Sequence, residues 1–241
     1  MDGWLVGLQP LLNRRAPGLT CLSSLREARH LGDAAQNESK GCGGVMRVAP
    51  IGLVSVTNEA FELGSQVAAL THGHPSGSLS AGFLARLIRG IVNGASLEDA
   101  IAATKEVLRA NRNHEEVLAA VEAAERHGAS RDLNALREGR LGEGWVAEEA
   151  LSIAVYCALL FPNFEEAIIA AVNHSGDSDS TGAIAGNICG ALYGVELIPN
   201  RWLRQLELRS EITEIADDLA ACDAGVFDAS AESAWERYPG H

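Results

Sequence analysis

Apolar residues recur along this chain at steps of three and four, and the apolar–polar alternation of half-buried strands is almost absent. That rhythm restricts the chain to helices packed on helices. Trp4, Leu5, Leu8, Leu11 and Leu12 make a first stripe, broken by Ala16-Pro17-Gly18. Leu63, Val67 and Leu70 continue a helix that Thr57 or Asn58 can cap. Leu79, Phe83, Leu84, Leu87 and Ile91 mark another, stopped by Asn93-Gly94. Ser96-Leu97-Glu98-Asp99 has the form of a capping box ahead of Ile101 and Leu108. Val117, Leu118 and Val121 follow as far as His127-Gly128, and the polar stretch from Ala129 to Gly144 reads as loop. Helical spacing resumes at Val146, Ala150, Ile153, Ala154 and Cys157 and stops at Phe161-Pro162-Asn163. Phe164, Ala167, Ile168, Ala171 and Val172 then lead to a turn near Asp177, and Trp202, Leu206, Ile212, Ile215 and Leu219 follow Pro199. The expected fold is all-α: one domain over residues 1–241, many orthogonally packed helices, no linker and no repeat. The acidic, small-residue tail after Cys222 is expected to pack loosely.

Composition narrows the function classes. A 47% hydrophobic content supplies a real core and excludes disorder as a description of the whole. The formal net charge of −13 argues against tracking along nucleic acid, which needs clustered cations, but leaves room for a small phosphate-bearing ligand. The five cysteines are scattered, with no CxxC pair and no zinc spacing, which fits reduced, mostly buried thiols in a cytoplasmic protein. The start, Met1-Asp2-Gly3-Trp4, lacks the basic residues of a secretory signal. Thr181 to Pro199 is nearly all apolar with glycines at 182, 186, 190 and 194, but Asn187 and Glu196 interrupt it and no basic flank precedes it. No membrane partner is expected.

Three stretches carry chemistry. In Asn173-His174-Ser175-Gly176-Asp177-Ser178-Asp179-Ser180-Thr181-Gly182, two carboxylates one residue apart precede a hydroxyl. Hard oxygen donors so close suit Mg²⁺, Mn²⁺ or Ca²⁺. A helix starting near Ser180 would favour them through its dipole, and the same residues would also serve as ordinary helix caps. Lys40-Gly41-Cys42-Gly43-Gly44 has three glycines in four residues, which lets backbone approach a ligand, although it is not a Walker A loop. In Thr71-His72-Gly73-His74-Pro75 a hydrogen-bonded neutral imidazole fits better than a zinc ligand. Arg14, Arg15 and Arg47 could meet phosphate, with ion pairing as the plainer role.

In this order, the stretches RRAPGLTCL, KGCGGVMRVAPIGL, LTHGHPSG, GEGWVAEEALSIAVYC and HSGDSDSTGAIAGNICGALYG resemble the ADP-ribosylglycohydrolase family, which includes the dinitrogenase-reductase-activating glycohydrolases. The resemblance implies an all-α fold whose cleft holds two Mg²⁺ or Mn²⁺ ions and which cleaves the glycosidic bond between ADP-ribose and an acceptor. The partner would be an ADP-ribosylated protein or an ADP-ribose derivative. By the same resemblance Asp177, Asp179 and Ser180 are metal ligands, Ser180 standing where the family often has Thr. Asp177 is the in-chain acid or base, Ser39, Lys40, Gly41, Cys42 and Gly43 cradle the ADP-ribose, and His72 contacts the nucleotide. Cys42 stands where an asparagine is common. The family's first ligand run, Thr-Asp-Asp or Asp-Asp-Thr, is absent upstream of Arg15-Ala16-Pro17-Gly18, and the only adjacent aspartates are Asp217-Asp218. The expectation is therefore a family domain without its N-terminal helices, either a hydrolase or an ADP-ribose-binding or structural relative with impaired catalysis.

Overall fold

Helices account for the regular structure, as the three-and-four rhythm requires. The structure, a computed structural model, describes residues 8, 10, 13, 15–54, 59–228 and 230–238. Trp4, Leu5, Leu11, Leu12, Arg14 and the two candidate caps Thr57 and Asn58 lie outside the described residues. In chain order the helices are α1 Leu19–Glu27, α2 Gly43–Met46, α3 Ala49–Val54, α4 Ala60–Ala69, α5 Pro75–Val92, α6 Leu97–Arg109 and α7 Glu115–Ala129. There follow α8 Ala147–Leu160, α9 Phe164–Val172, α10 Ser178–Tyr193, α11 Asn200–Leu203, α12 Arg209–Asp223 and α13 Glu232–Arg237. Among the described residues no sheet forms; one isolated bridge joins Gly41 to Val146.

The chain falls into two compact units, Leu19–Pro199 and the paired segments Met1–Gly18 and Asn200–His241. In the first, α8 is buried on every side, from Ala147 through Leu151, Ile153 and Tyr156 to Leu160, and so needs neighbours all round. It finds them in α5, α7, α9 and α10. The 18-residue α5 inserts Phe83, Leu84 and Leu87 into the same core, each contributing roughly 1.5–3 kcal/mol by its burial.

Local chemistry sets the helix ends. Ser96 caps α6 by accepting the Asp99 N–H at 3.1 Å, while its own hydroxyl donates to the Asp99 carboxylate at 2.7 Å. The expected box is thus made with the reciprocal bond running from hydroxyl to carboxylate. Asn163 caps α9 at Glu166 N–H, 2.9 Å, and His74 caps α5 ahead of Pro75. Between α7 and α8 the chain runs without helix, as expected, its base pinned by Tyr156 Oη donating to Asp132 O at 2.6 Å. No described helix is long and apolar enough to cross a membrane. Within α10, Gly182 admits Val172, whereas nothing stands within 4 Å of where a Cβ would sit on Gly190.

In the second unit Arg15 makes a two-pronged pair with Glu207, at 2.5 and 2.9 Å. The tail after Cys222, expected to pack loosely, carries α13 and is tied to α12. Arg237 donates to Asp218 at 2.7 Å, and the Tyr238 hydroxyl donates to the same carboxylate. Asp218 is thereby occupied by its own unit.

Candidate functional site

The Asp177 turn is built from glycine and long-range backbone bonds. A Cβ on Gly176 would sit 1.8 Å from Glu143 O, so only glycine fits, and the next amide, Asp177 N–H, donates to that carbonyl at 2.8 Å. Gly144, at φ +83°, carries the partner loop past Thr181. Glu149 Oε2 fixes that loop by accepting the amides of Glu143 at 3.0 Å and Gly144 at 3.1 Å. On the other flank His174 Nδ1 accepts Gly176 N–H, which leaves Nε2–H to donate to Thr181 Oγ1 at 2.9 Å.

Helix α10 starts at Ser178, two residues earlier than expected, and Asp177 occupies the N-cap position without making a capping bond. Its carboxylate is used otherwise. Asp177 Oδ2 accepts Ser180 Oγ–H at 2.9 Å and Cys42 Sγ–H at 3.1 Å, and Ser180 Oγ lies 3.2 Å from both Asp179 Oδ1 and Cys42 Sγ. Two carboxylates thus share one buried hydroxyl. Burial pushes Asp177 up, but its bonds with Asp179, Cys42 and Ser180 hold it below the usual carboxylate value. Asp179 is raised, first by the neighbouring Asp177 side chain and then by burial. That is the behaviour of like charges sharing a site. The Ser180 amide adds to the field at both, although it caps neither.

The Ser39–Gly43 loop alternates its grips. Lys40 and Cys42 hold side chains of other elements: Lys40 Nζ lies 2.6 Å from Glu148 Oε1 and 3.0 Å from Glu116 Oε2, and buried Cys42 meets Asp177 and Ser180. Gly41 and Gly43 instead rest on His72, where a Cβ would come within 3.3 and 3.4 Å of the ring. Ser39 is set by Asn37, whose Oδ1 accepts the amides of both Ser39 and Gly73, and by Thr20 Oγ1 at 3.1 Å from its hydroxyl. Burial, and next the Arg47 charge, lower the 2% exposed His72 to about 4, so the imidazole is neutral at neutral pH, its Nδ1 2.8 Å from Thr71 Oγ1. Burial pushes the Cys42 thiol up to about 11, which keeps it a donor to Asp177.

The histidine pair divides its work. His72 packs under the loop, while His74 caps α5 by accepting Ser76 N–H. Arg47 is not a free cation for phosphate. It donates to Val67 O and Ala68 O at the end of α4, to Gly43 O, and to Thr71 Oγ1 at 2.6 Å.

Asp177, Asp179, Ser180 and Cys42 therefore converge, His72 lies beneath the glycines, and the Lys40 ammonium is turned to two glutamates. Glu149 and His174, which hold the turn, were not among the expected site residues. The available signal was an acid in the first turn of a helix closely preceded by a Gly-Glu-Gly loop. Three oxygen donors, from Asp177, Asp179 and Ser180, have the hard chemistry of a Mg²⁺ or Mn²⁺ site. Among the described residues no group of three or more His, Cys, Asp or Glu side chains is placed to hold a metal ion. The rest of a coordination sphere would come from water or ligand oxygens, which Mg²⁺ commonly retains.

Comparison with known proteins gives a coherent picture. The ADP-ribosylglycohydrolase family model matches residues 2–228. The chain is 27% identical to the ADP-ribosyl-(dinitrogen reductase) glycohydrolase of Rhodospirillum rubrum, over 80% of this chain and 61% of that protein. It is 30% identical to the ADP-ribosylarginine hydrolase Tri1 of Serratia proteamaculans, over 76% of this chain and 47% of that protein. It thus spans about half to three-fifths of the length of these relatives. A solved structure described as an ADP-ribosylglycohydrolase-related protein complex superposes with a TM-score of 0.69 at 30% identity, covering 86% of this chain and 69% of that one. With the all-helical fold and the Asp177 turn already in place, this chain belongs to the ADP-ribosylglycohydrolase family.

Proposed function

We propose that this protein is a metal-dependent hydrolase that cleaves the glycosidic bond between ADP-ribose and an acceptor. The observation that carries the reading is the meeting of the Asp177–Asp179–Ser180 turn with Cys42 of the glycine loop, at 3.1 and 3.2 Å. Asp177, Asp179 and Ser180 would hold Mg²⁺ or Mn²⁺, and the donor set fits: hard oxygens, and two carboxylates with no cation between them among the described residues. When bound, the ion supplies Lewis-acid charge to ligand oxygens and to water.

The chain's own residues account for the rest. Asp177, held ionised, accepts a proton from water or returns one to the leaving group. Backbone from Ser39 to Gly43 lies along the ADP-ribose, and its glycines permit the close approach. His72, neutral and buried, supports that backbone from beneath and offers hydrogen bonding without charge. The partner is an ADP-ribosylated protein or an ADP-ribose derivative, in the cytoplasm. The Rhodospirillum relative is an ADP-ribosyl-(dinitrogen reductase) glycohydrolase and the Serratia relative an ADP-ribosylarginine hydrolase, which favours an acceptor on a protein side chain.

The test is release of ADP-ribose from a modified protein, with and without Mg²⁺ or Mn²⁺. Release that stops with chelator and with Asp179→Ala supports the reading; release indifferent to both overturns the metal assignment. A second reading, an ADP-ribose-binding relative with impaired catalysis, draws on the small number of acidic donors the described residues bring together. Calorimetry separates the two, since binding of ADP-ribose without turnover favours the second.

A further inference from the structure

One buried charge has no part in that chemistry. Glu148 is 7% exposed, and no other carboxylate among the described residues is so deeply buried. It sits in the first turn of α8, where the helix dipole favours a negative charge. Its Oε1 takes Lys40 Nζ at 2.6 Å, and its Oε2 is buried without a hydrogen-bond partner. Lys40 also reaches Glu116 Oε2 at 3.0 Å, and that same oxygen accepts Ser76 Oγ–H at 2.6 Å. The backbone runs the same way. Lys40 O accepts Ala147 N–H at 2.7 Å, and Gly41 pairs with Val146. Main chain and side chain of one loop residue are both fastened to the start of α8.

Stability alone does not call for this arrangement, because a well-packed apolar pair of the same volume would do as well or better in such surroundings. What the ion pair adds is direction. The ammonium sits where Glu148 and Glu116 both face it, which ties residue 40, and with it Gly41 and Cys42, to the start of α8. Two residues on, Cys42 is the one that touches Asp177.

We propose that Lys40 and Glu148, aided by Glu116, form a positioning clamp that sets the Ser39–Gly43 loop for ADP-ribose; this rests on the function proposed above. Lys40 and Glu148 are positioning residues, acting through the loop backbone and not by touching phosphate.

The test compares wild type with Glu148→Gln, which keeps the shape, and Lys40→Met. Amide hydrogen exchange is followed across residues 39–43 and at Ala147, beside thermal unfolding and ADP-ribose calorimetry. The clamp requires exchange in the loop and at Ala147 to rise about tenfold more than any rise in the distant core of α5, which follows global stability. It also requires a weaker Kd for ADP-ribose in Glu148→Gln, with a smaller effect from the more exposed Glu116→Gln. Unchanged loop exchange in folded Glu148→Gln overturns the clamp, as does faster exchange spread evenly over the whole protein. So does a looser loop with unaltered Kd. If wild type does not bind ADP-ribose, the proposed function falls, and the exchange pattern alone still decides whether the loop is clamped. Should Lys40→Met fail to fold, Glu148→Gln carries the test.

Discussion

Two pairs of carboxylates flank the same short loop, and they are solved in opposite ways. Glu148 and Glu116 share the ammonium of Lys40, so that pair carries its own cation. Asp177 and Asp179 share only the hydroxyl of Ser180, helped on one side by a thiol. One pair is electrostatically closed. The other holds two like charges with no cation between them among the described residues, a condition that costs stability unless something positive arrives. The contrast separates a fastening that carries its own cation from the pair proposed above to receive an ion, with two loop residues, Lys40 and Cys42, each gripping one pair.

Removing the built-in cation should show the largest effect. Lys40→Met leaves Glu148 buried and unpaired, and is expected to lower unfolding free energy by about 3 kcal/mol, the lower end for a broken buried pair because Lys40 is 33% exposed. Urea unfolding at neutral pH checks it, and a loss within experimental scatter would erase the distinction between the two pairs.

The imidazole beneath the joining loop gives a pH signature. His72 titrates at about 4 when folded, below the 6.5 of the free side chain, so the unfolded chain takes up its proton first. Stability from this group is complete above about pH 6.5 and is lost as pH falls towards 4, by roughly 3 kcal/mol at most. Unfolding measured at pH 7 and pH 4 should show this slope in wild type and its reduction in His72→Gln.

The open pair should respond to what the closed pair ignores. Mg²⁺ at a hundred times its Kd is expected to raise wild-type stability by about 2.7 kcal/mol, and Asp179→Asn to abolish the rise. Without the ion, the same substitution relieves like-charge repulsion and should be neutral or slightly stabilising, by less than about 1 kcal/mol. Its sign is then opposite to that of Lys40→Met. A Mg²⁺ response retained in Asp179→Asn would count against the ligand assignment.

Much of this architecture was legible from apolar spacing. The stops at Asn93-Gly94 and Phe161-Pro162-Asn163 fall where α5 and α8 end, because turn residues and proline act locally. The adjacent acids were legible too, since they belong to one turn. Their use was not: Asp177 sits at a cap position, and only the fold shows its carboxylate turned to Cys42, 135 residues away. Lys40 posed the same difficulty. Its partner lies 108 residues on, in a helix buried all round, where periodicity cannot say which of Glu148 and Glu149 faces inward. Both proved to be fasteners, Glu148 of the glycine loop and Glu149 of the loop beneath Asp177.

The connection between α7 and α8 is nailed at both feet, by Tyr156 at Asp132 and by Glu149 at Glu143 and Gly144. Its crest at Arg137, Glu138 and Gly139 is exposed, with Glu138 paired to Arg140, which reaches back to Asp132. Extra residues grafted at the crest are expected to leave both feet, and the turn they hold, in place, which makes this span a natural spot for a tag.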